Sequence, residues 1–225
     1  MDSKSYEIRW SFTSKLNEVD IERYFTRYKG EIVETCEELG ADKLIGKVSV
    51  DLIHTVLIEN NEEFAVELVM DVIPEIEETV SDILILGELE LNENIQEYYE
   101  HVFNYADICI IQRVELIASH RSKGIGKLII KDIYSRFHTC SQIFVVKSFP
   151  LQFETGFKAK KENEKTEWDK LLDLKSLESD HEKAFYQLKA FYQKIGFDHI
   201  DGYDELMFLN PALKNELINS IRLDL

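Results

Sequence analysis

The stretch Ile108-Cys109-Ile110-Ile111-Gln112-Arg113-Val114-Glu115-Leu116-Ile117-Ala118-Ser119-His120-Arg121-Ser122-Lys123-Gly124-Ile125-Gly126-Lys127-Leu128-Ile129-Ile130 decides how the chain is read. Its first part is a nearly unbroken apolar run, as a buried strand requires. A short polar turn with two glycines follows. From Ile125 the apolar residues recur at helical period, with Ile125, Leu128, Ile129, Ile133 and Phe137 on one stripe. Strand, glycine turn and helix together make an anion cradle. Small residues let the backbone approach a phosphate, and the free N–H groups of the helix's first turn point at it. Arg121, Lys123 and Lys127 add positive charge around the turn.

Downstream, residues 142–151 read as a second apolar strand ended by Pro150. Strand, helix and strand then form a βαβ unit with two parallel strands. Residues 154–180 are a charged segment with Lys158, Lys160, Lys161 and Trp168, fitting a surface insertion or a lid. Residues 182–195 predict an amphipathic helix burying Ala184, Phe185, Leu188, Phe191 and Ile195 and stopping at Gly196. Residues 205–209 read as a final strand, and 211–225 as a short tail with helical character.

Upstream, residues 6–12 alternate polar and apolar side chains, as a half-buried strand does. Residues 17–39 carry Val19, Tyr24, Phe25, Ile32 and Cys36 at roughly helical spacing, predicting one or two helices broken at Gly30 or Gly40. Residues 43–53 and 54–58 are β-branched and predict a long strand or two pairing strands. Residues 62–86 predict a helix interrupted near Pro74, and 92–104 a short helix carrying Tyr98, Tyr99 and Phe103.

Composition narrows the function classes. The 225 residues hold 26 Lys and Arg against 43 Asp and Glu, a net charge of -17. Such a surface repels nucleic acid and anionic membranes, which are bound mainly through Lys and Arg, and steers amines or basic peptides inward. No apolar run reaches the roughly 20 residues of a membrane span, and the N-terminus lacks a signal-peptide core. Cys36, Cys109 and Cys140 are widely spaced and fit reduced thiols, so a cytoplasmic location is expected. His54, His101, His138, His181 and His199 show no metal-ligand spacing, so no metal is expected.

Three phosphate motifs compete for the glycine turn. A dinucleotide fingerprint needs a third glycine where Ile129 stands. A Walker loop needs Ser or Thr after Gly126-Lys127, where Leu128 stands, and an upstream glycine that is missing. What remains is Arg121-x-x-Gly124-x-Gly126. Further on come Leu188-Lys189-Ala190-Phe191-Tyr192-Gln193-Lys194-Ile195-Gly196-Phe197. The first resembles motif A of the GCN5-related N-acetyltransferase (GNAT) superfamily, and the second its motif B. Residues 113–116 through 145–154 resemble an uncharacterised branch, and the likeness covers roughly residues 106–208.

The resemblance implies an α/β fold with a GNAT-like mixed, mostly antiparallel sheet, splayed central parallel strands and flanking helices. It implies one domain over 1–225, with an acceptor-side half (1–105), a core (106–210) containing the 154–180 insertion, and a tail (211–225). It implies acetyl-CoA as acyl donor. The backbone of Ser122, Lys123, Gly124, Ile125, Gly126 and Lys127 would hold the pyrophosphate, with Arg121 shaping the turn. Leu116, Ile117 and Ala118 would meet the pantetheine arm. Tyr192 would protonate the departing thiolate, and Glu115 on the strand is the candidate base. Ala118 replaces the family's usual proline, and Ser122 its frequent glycine.

The acceptor would be a small-molecule amine or a protein amino group, and a homodimer is compatible with the sequence. Simpler readings stand beside these. Tyr192 suits a core aromatic, Glu115 an ion pair with Arg113, Cys109 a small buried hydrophobe, and His120 a solvated turn residue. The rival functions are a non-catalytic CoA-binding or interaction module on the same fold and an unrelated nucleotide-binding protein.

Overall fold

The computed structural model describes residues 4–13, 24–36, 41–59, 74–85, 90–104, 106–159, 164–213 and 215–222. Their six strands form one sheet in chain order: β1 (Lys4–Ser11), β2 (Phe25–Cys36), β3 (Ala41–Ile53), β4 (Asp107–Leu116), β5 (Ser141–Lys147) and β6 (Leu206–Leu209). Neighbours are antiparallel except β4 and β5, which run parallel. The helices are α1 (Thr55–Glu59), α2 (Pro74–Ile83), α3 (Glu93–Tyr98), α4 (Ile125–Phe137), α5 (Thr155–Lys158), α6 (Glu167–Leu172), α7 (His181–Gln193) and α8 (Glu216–Ser220). The protein is thus mixed α/β, a mostly antiparallel sheet flanked by helices. Among the described residues no helix is long and apolar enough to cross a membrane.

The sheet is covered on both faces, which explains the unbroken apolar run in β4. Cys109 and Ile111 pack with α4 and α7 through Ile129, Ile133, Tyr192 and Ile195. Ile108 and Ile110 pack the other way, with Val80, Ile83 and Ile95 of α2 and α3. A strand buried on both faces has no solvent side on which to place polar residues. The Cys109 thiol is fully buried and burial pushes its pKa up, so it acts as a small apolar side chain. At the start of β4, His54 Nδ1 lies 2.7 Å from Asp107 Oδ2 and its Nε2 2.9 Å from Thr26 Oγ1. This chain of contacts ties the ends of β2, β3 and β4 together.

Several local expectations change. Residues 25–36, expected as helix, form β2, paired on one edge with β1 and on the other with β3. Thr26, Tyr28, Ile32, Val33 and Thr35 favour a strand, and two ladders outweigh a weak helical periodicity. Gly30 does not break the strand. A Cβ there would lie 2.6 Å from Val48 Cγ1 and 2.7 Å from Ile8 Cγ2, so the glycine admits neighbouring side chains. Val19 and Gly40 lie outside the described residues.

His54 and Thr55-Val56-Leu57-Ile58 do not extend the strand. β3 stops at Ile53, and the Ile58 amide donates to the His54 carbonyl (3.1 Å) within a helical turn. Pro74 opens α2 rather than interrupting a helix, as its missing N–H permits at a first turn; residues 60–73 lie outside the described residues. β5 ends at Lys147, short of Pro150, with one further rung to β6 from the Ser148 amide to the Glu205 carbonyl (2.7 Å).

At Gly46 an added Cβ would stand 2.5 Å from the Glu115 carbonyl oxygen, which is backbone and cannot swing aside. Gly46→Ala must push β3 from β4. It is expected to lower unfolding free energy by about 1–3 kcal/mol, read as a lower urea midpoint at constant slope. An unchanged midpoint would mean that the two strands are not held this closely.

Candidate functional site

The site arises from a surplus residue. Val50 pairs with Ile111 and Ser49 with Arg113, leaving Gln112 as a bulge in β4. The bulge reverses the pleat: Val114 and Leu116 pack with the cluster that holds Cys109 and Ile111 rather than with Ile108 and Ile110. Ile117 also joins the first cluster. On its other edge β4 pairs with β5 only from Asp107 to Ile111, and the strands part beyond that point.

A cavity of about 1680 Å³ occupies the gap. Its wall takes Gln112, Val114 and Leu116 from β4, Val146 and Lys147 from β5, and Leu188, Phe191 and Tyr192 from α7. Arg121, Ser122, Lys123, Gly124, Gly126 and Lys127 line it at the glycine turn. The sequence therefore located one wall of the cavity, and the fold brings α7 to the other. Gln112 was not singled out as a site residue. Its Nε2 is buried without a hydrogen-bond partner among the described residues, and no sequence pattern announces a bulge there.

The turn has the backbone an anion cradle needs. Ser122 (φ +59°) and Gly124 (φ +79°) are both left-handed. The first explains why glycine suits the place of Ser122. Gly124 is the N-cap of α4, and nothing lies within 4 Å of a Cβ built there, so the face is open. Gly126 lies against α7, where a Cβ would meet Phe191 Cζ at 3.4 Å. Ile125 is buried and anchors the first turn, while Lys123 and Lys127 are exposed.

Arg121 acts through carbonyl groups. Its Nε donates to the Leu116 carbonyl (3.0 Å), and its two terminal nitrogens donate to the carbonyls of Asp173 and Leu172. It clips the turn to the end of α6, whose N-terminus is fixed by a Thr166–Asp169 capping box. Leu172, Leu174 and Leu177 then line the cavity, so the charged 154–180 segment supplies an apolar wall. Lys160 and Lys161 lie outside the described residues. The Ile117 amide is engaged by the Ile45 carbonyl (2.9 Å), and Ala118 opens a 3-10 turn through His120.

Tyr192 lines the cavity from α7, packed edge-on against Phe191 and Phe197. Burial pushes its phenol pKa up, so it keeps its proton at neutral pH. Phe185, Leu188 and Phe191, expected in the core, are only half-buried, and the last two face the cavity.

Glu115 is elsewhere. It is not among the residues lining the cavity. One oxygen lies 2.8 Å from Arg113 Nε, and the other accepts from Trp168 Nε1 at 2.6 Å. Lys47 Nζ sits 4.4 Å from the centre of the Trp168 ring. Glu115 therefore fastens α6 to the sheet. The carboxylates that do line the cavity are ion-paired: Glu154 with Arg113, Glu178 with Lys183, and Glu205 with Lys147.

His120 is not a solvated turn residue. It is 4% exposed, with Nε2 3.3 Å from Glu34 Oε1 and Nδ1 3.0 Å from Ser119 Oγ. The 3-10 turn rolls it under the sheet edge, where Tyr6 also donates to Glu34 (3.3 Å).

Two outcomes follow from these contacts. Desolvation lowers the His120 pKa below 6.5, outweighing the opposing pull of Glu34. The unfolded chain then binds the proton more readily, so stability should fall as pH drops below about 6.5. Urea midpoints across that window should show less acid sensitivity in His120→Gln; identical sensitivity would place the proton uptake elsewhere. Trp168→Phe removes the donor to a buried carboxylate. It should cost about 1–3 kcal/mol and speed tryptic cleavage at Lys170 and Lys175, whereas wild-type cleavage would show that Glu115 does not hold α6.

Searches against protein-family models, curated proteins and solved structures returned no match. The functional reading accordingly rests on the cavity, the glycine turn and the side chains that meet there.

Proposed function

We propose that this chain is a GNAT-type N-acetyltransferase that moves the acetyl group of acetyl-CoA directly to a primary amine. The observation that carries the reading is the cavity at the β4–β5 divergence, where an open glycine turn at the start of a 13-residue helix and a buried tyrosine converge. The residues suit the donor. Free amides of the first turn of α4 would hold the pyrophosphate, with Lys123 and Lys127 beside it. The edge of β4 beyond Ile111, unpaired by β5, would receive the pantetheine arm.

The chemistry needs a neutral amine near the thioester and a proton for the leaving sulfur. The amine nitrogen bonds to the carbonyl carbon, the C–S bond breaks, and the Tyr192 hydroxyl gives its proton to the thiolate. Tyr192 suits this because its phenol stays protonated at neutral pH, and a thiolate released into the same desolvated space is a stronger base than it is in water. The amine's surplus proton leaves through water, since Glu115 is held by Arg113 and Trp168 outside the cavity.

That pairing favours one rival reading, a CoA-binding module without turnover. Release of CoA thiol in the presence of simple amines separates the two. Thermal stabilisation by ATP or NAD but not by acetyl-CoA would overturn both.

Gly124→Glu should abolish stabilisation by acetyl-CoA, because it sets a carboxylate against the pyrophosphate. Gly124→Asn tolerates the left-handed backbone and should keep most of it; equal binding by Gly124→Glu would remove the cradle. Tyr192→Phe should lower kcat about 100-fold with little change in acetyl-CoA affinity, and a wild-type kcat would make Tyr192 a packing residue.

A further inference from the structure

The two edges of the sheet are treated differently. At β6 the Asp198 amide and carbonyl reach across to Phe208 (2.6 and 2.9 Å) and take up the outer side of the strand. At the other edge β1 pairs with β2 over its 8 residues, from Lys4↔Cys36 to Ser11↔Lys29, without a register shift. Among the described residues nothing pairs with the outer side of β1. Such an edge offers a row of unpaired N–H and C=O groups, which a proline, a bulge or an inward-pointing charge usually blunts. β1 has none of these. It is also held in place, because Tyr6, Ile8 and Trp10 pack half-buried against the α4 side of the core. Trp10 Nε1 donates to Asp132 Oδ2 (3.2 Å), and Phe137 meets its ring edge-on.

The charges on the other face of β1 choose the partner. Glu7 and Arg9 stand there, each half-exposed. Two chains of net charge -17 repel, so they can meet only where the local charge is not negative. β1 holds Lys4 and Arg9 against Glu7 alone. In a twofold antiparallel pairing, each register sets one residue opposite its own copy. A centre at Glu7 or at Arg9 sets like charges face to face, which destabilises a ladder. A centre at Ile8 sets each Glu7 opposite the other copy's Arg9 and each Tyr6 opposite the other copy's Trp10. Centres nearer either end lose rungs. Arg9 donates to Glu7 and Asp42 of its own chain through Nε and Nη2. Its Nη1 has no partner among the described residues, which leaves a donor for a second carboxylate.

We propose that β1 is a homodimerisation edge. It pairs antiparallel with β1 of a second copy about a twofold axis at Ile8 and joins the two six-stranded sheets into one. The contact uses the same strand on both copies, so it closes at two and leaves no further edge of this kind to propagate. The apolar row of Tyr6, Ile8 and Trp10 continues across the axis on one face, and two Glu7–Arg9 pairs form on the other. The proposal does not depend on the transferase reading.

The experiment is sedimentation equilibrium of the full chain, which should show a monomer–dimer equilibrium. Glu7→Lys leaves only positive charge on that face of β1, and Arg9→Glu leaves only negative charge. Each alone should raise the dimer dissociation constant about tenfold. Mixed in equal amounts, the two single variants should recover the wild-type constant as a heterodimer, because opposite charges again face each other across the axis. The double variant Glu7→Lys/Arg9→Glu should dimerise as the wild type does. Both side chains are half-exposed, so urea midpoints of the variants should stay near the wild-type value and separate lost pairing from lost folding. A wild type that is monomeric at every concentration would overturn the proposal. A dimer that survives both single variants, or that their mixture fails to restore, would overturn it as well.

Discussion

Gln112 is one residue more than the ladder between β3 and β4 can pair, and the strand responds by reversing its pleat and leaving β5. Both consequences matter. The reversal turns Val114 and Leu116 toward the α4 side, so the strand presents apolar side chains to the cavity, while Glu115 is taken up by Arg113 and by Trp168 of α6. The departure from β5 leaves backbone groups of a central strand without a sheet partner. Buried backbone polar groups rarely stay unpaired. One of these groups, the Leu116 carbonyl, is taken up by Arg121 Nε.

The parts around the gap are held by contacts that make little use of the chain's net charge. Arg121 donates to three carbonyl groups and so joins the turn after β4 to the end of α6. Glu115, buried between a guanidinium and an indole N–H, fastens α6 a second time. Breaking either leaves a buried charged group short of partners, which is why such contacts hold a wall firmly even where their net contribution is modest. Lys123 and Lys127 stand exposed at the glycine turn of an otherwise acidic protein, so local positive charge sits within a broad negative field.

The elements with strong one-dimensional signals were legible. The glycine turn, the stripe of α4, the two parallel strands around it and the Gly196 cap all follow from residue spacing. The helical reading of residues 25–36 failed because its periodicity was weak and two neighbouring ladders decided the conformation. His120 looked like a polar turn residue, and only the roll of the 3-10 turn puts it against Glu34. The candidate site divides in the same way. Gly124, Gly126 and Tyr192 line one cavity, whereas Glu115 is drawn off by Trp168, a residue 53 positions away.

The sequence by itself determined the local grammar: where a chain must be small, apolar or capped, and therefore that a strand, a glycine turn and a helix stand in succession. Those properties depend on backbone conformation and on neighbours within a few residues. Tertiary structure decided which side chains share a space. Leu172 and Leu177 came to wall the same cavity as Tyr192 through the order in which strands pair and helices cover them. No local pattern encodes the bulge at Gln112 or the gap beyond Ile111, since each is a mismatch between ladders formed by residues far apart in the chain.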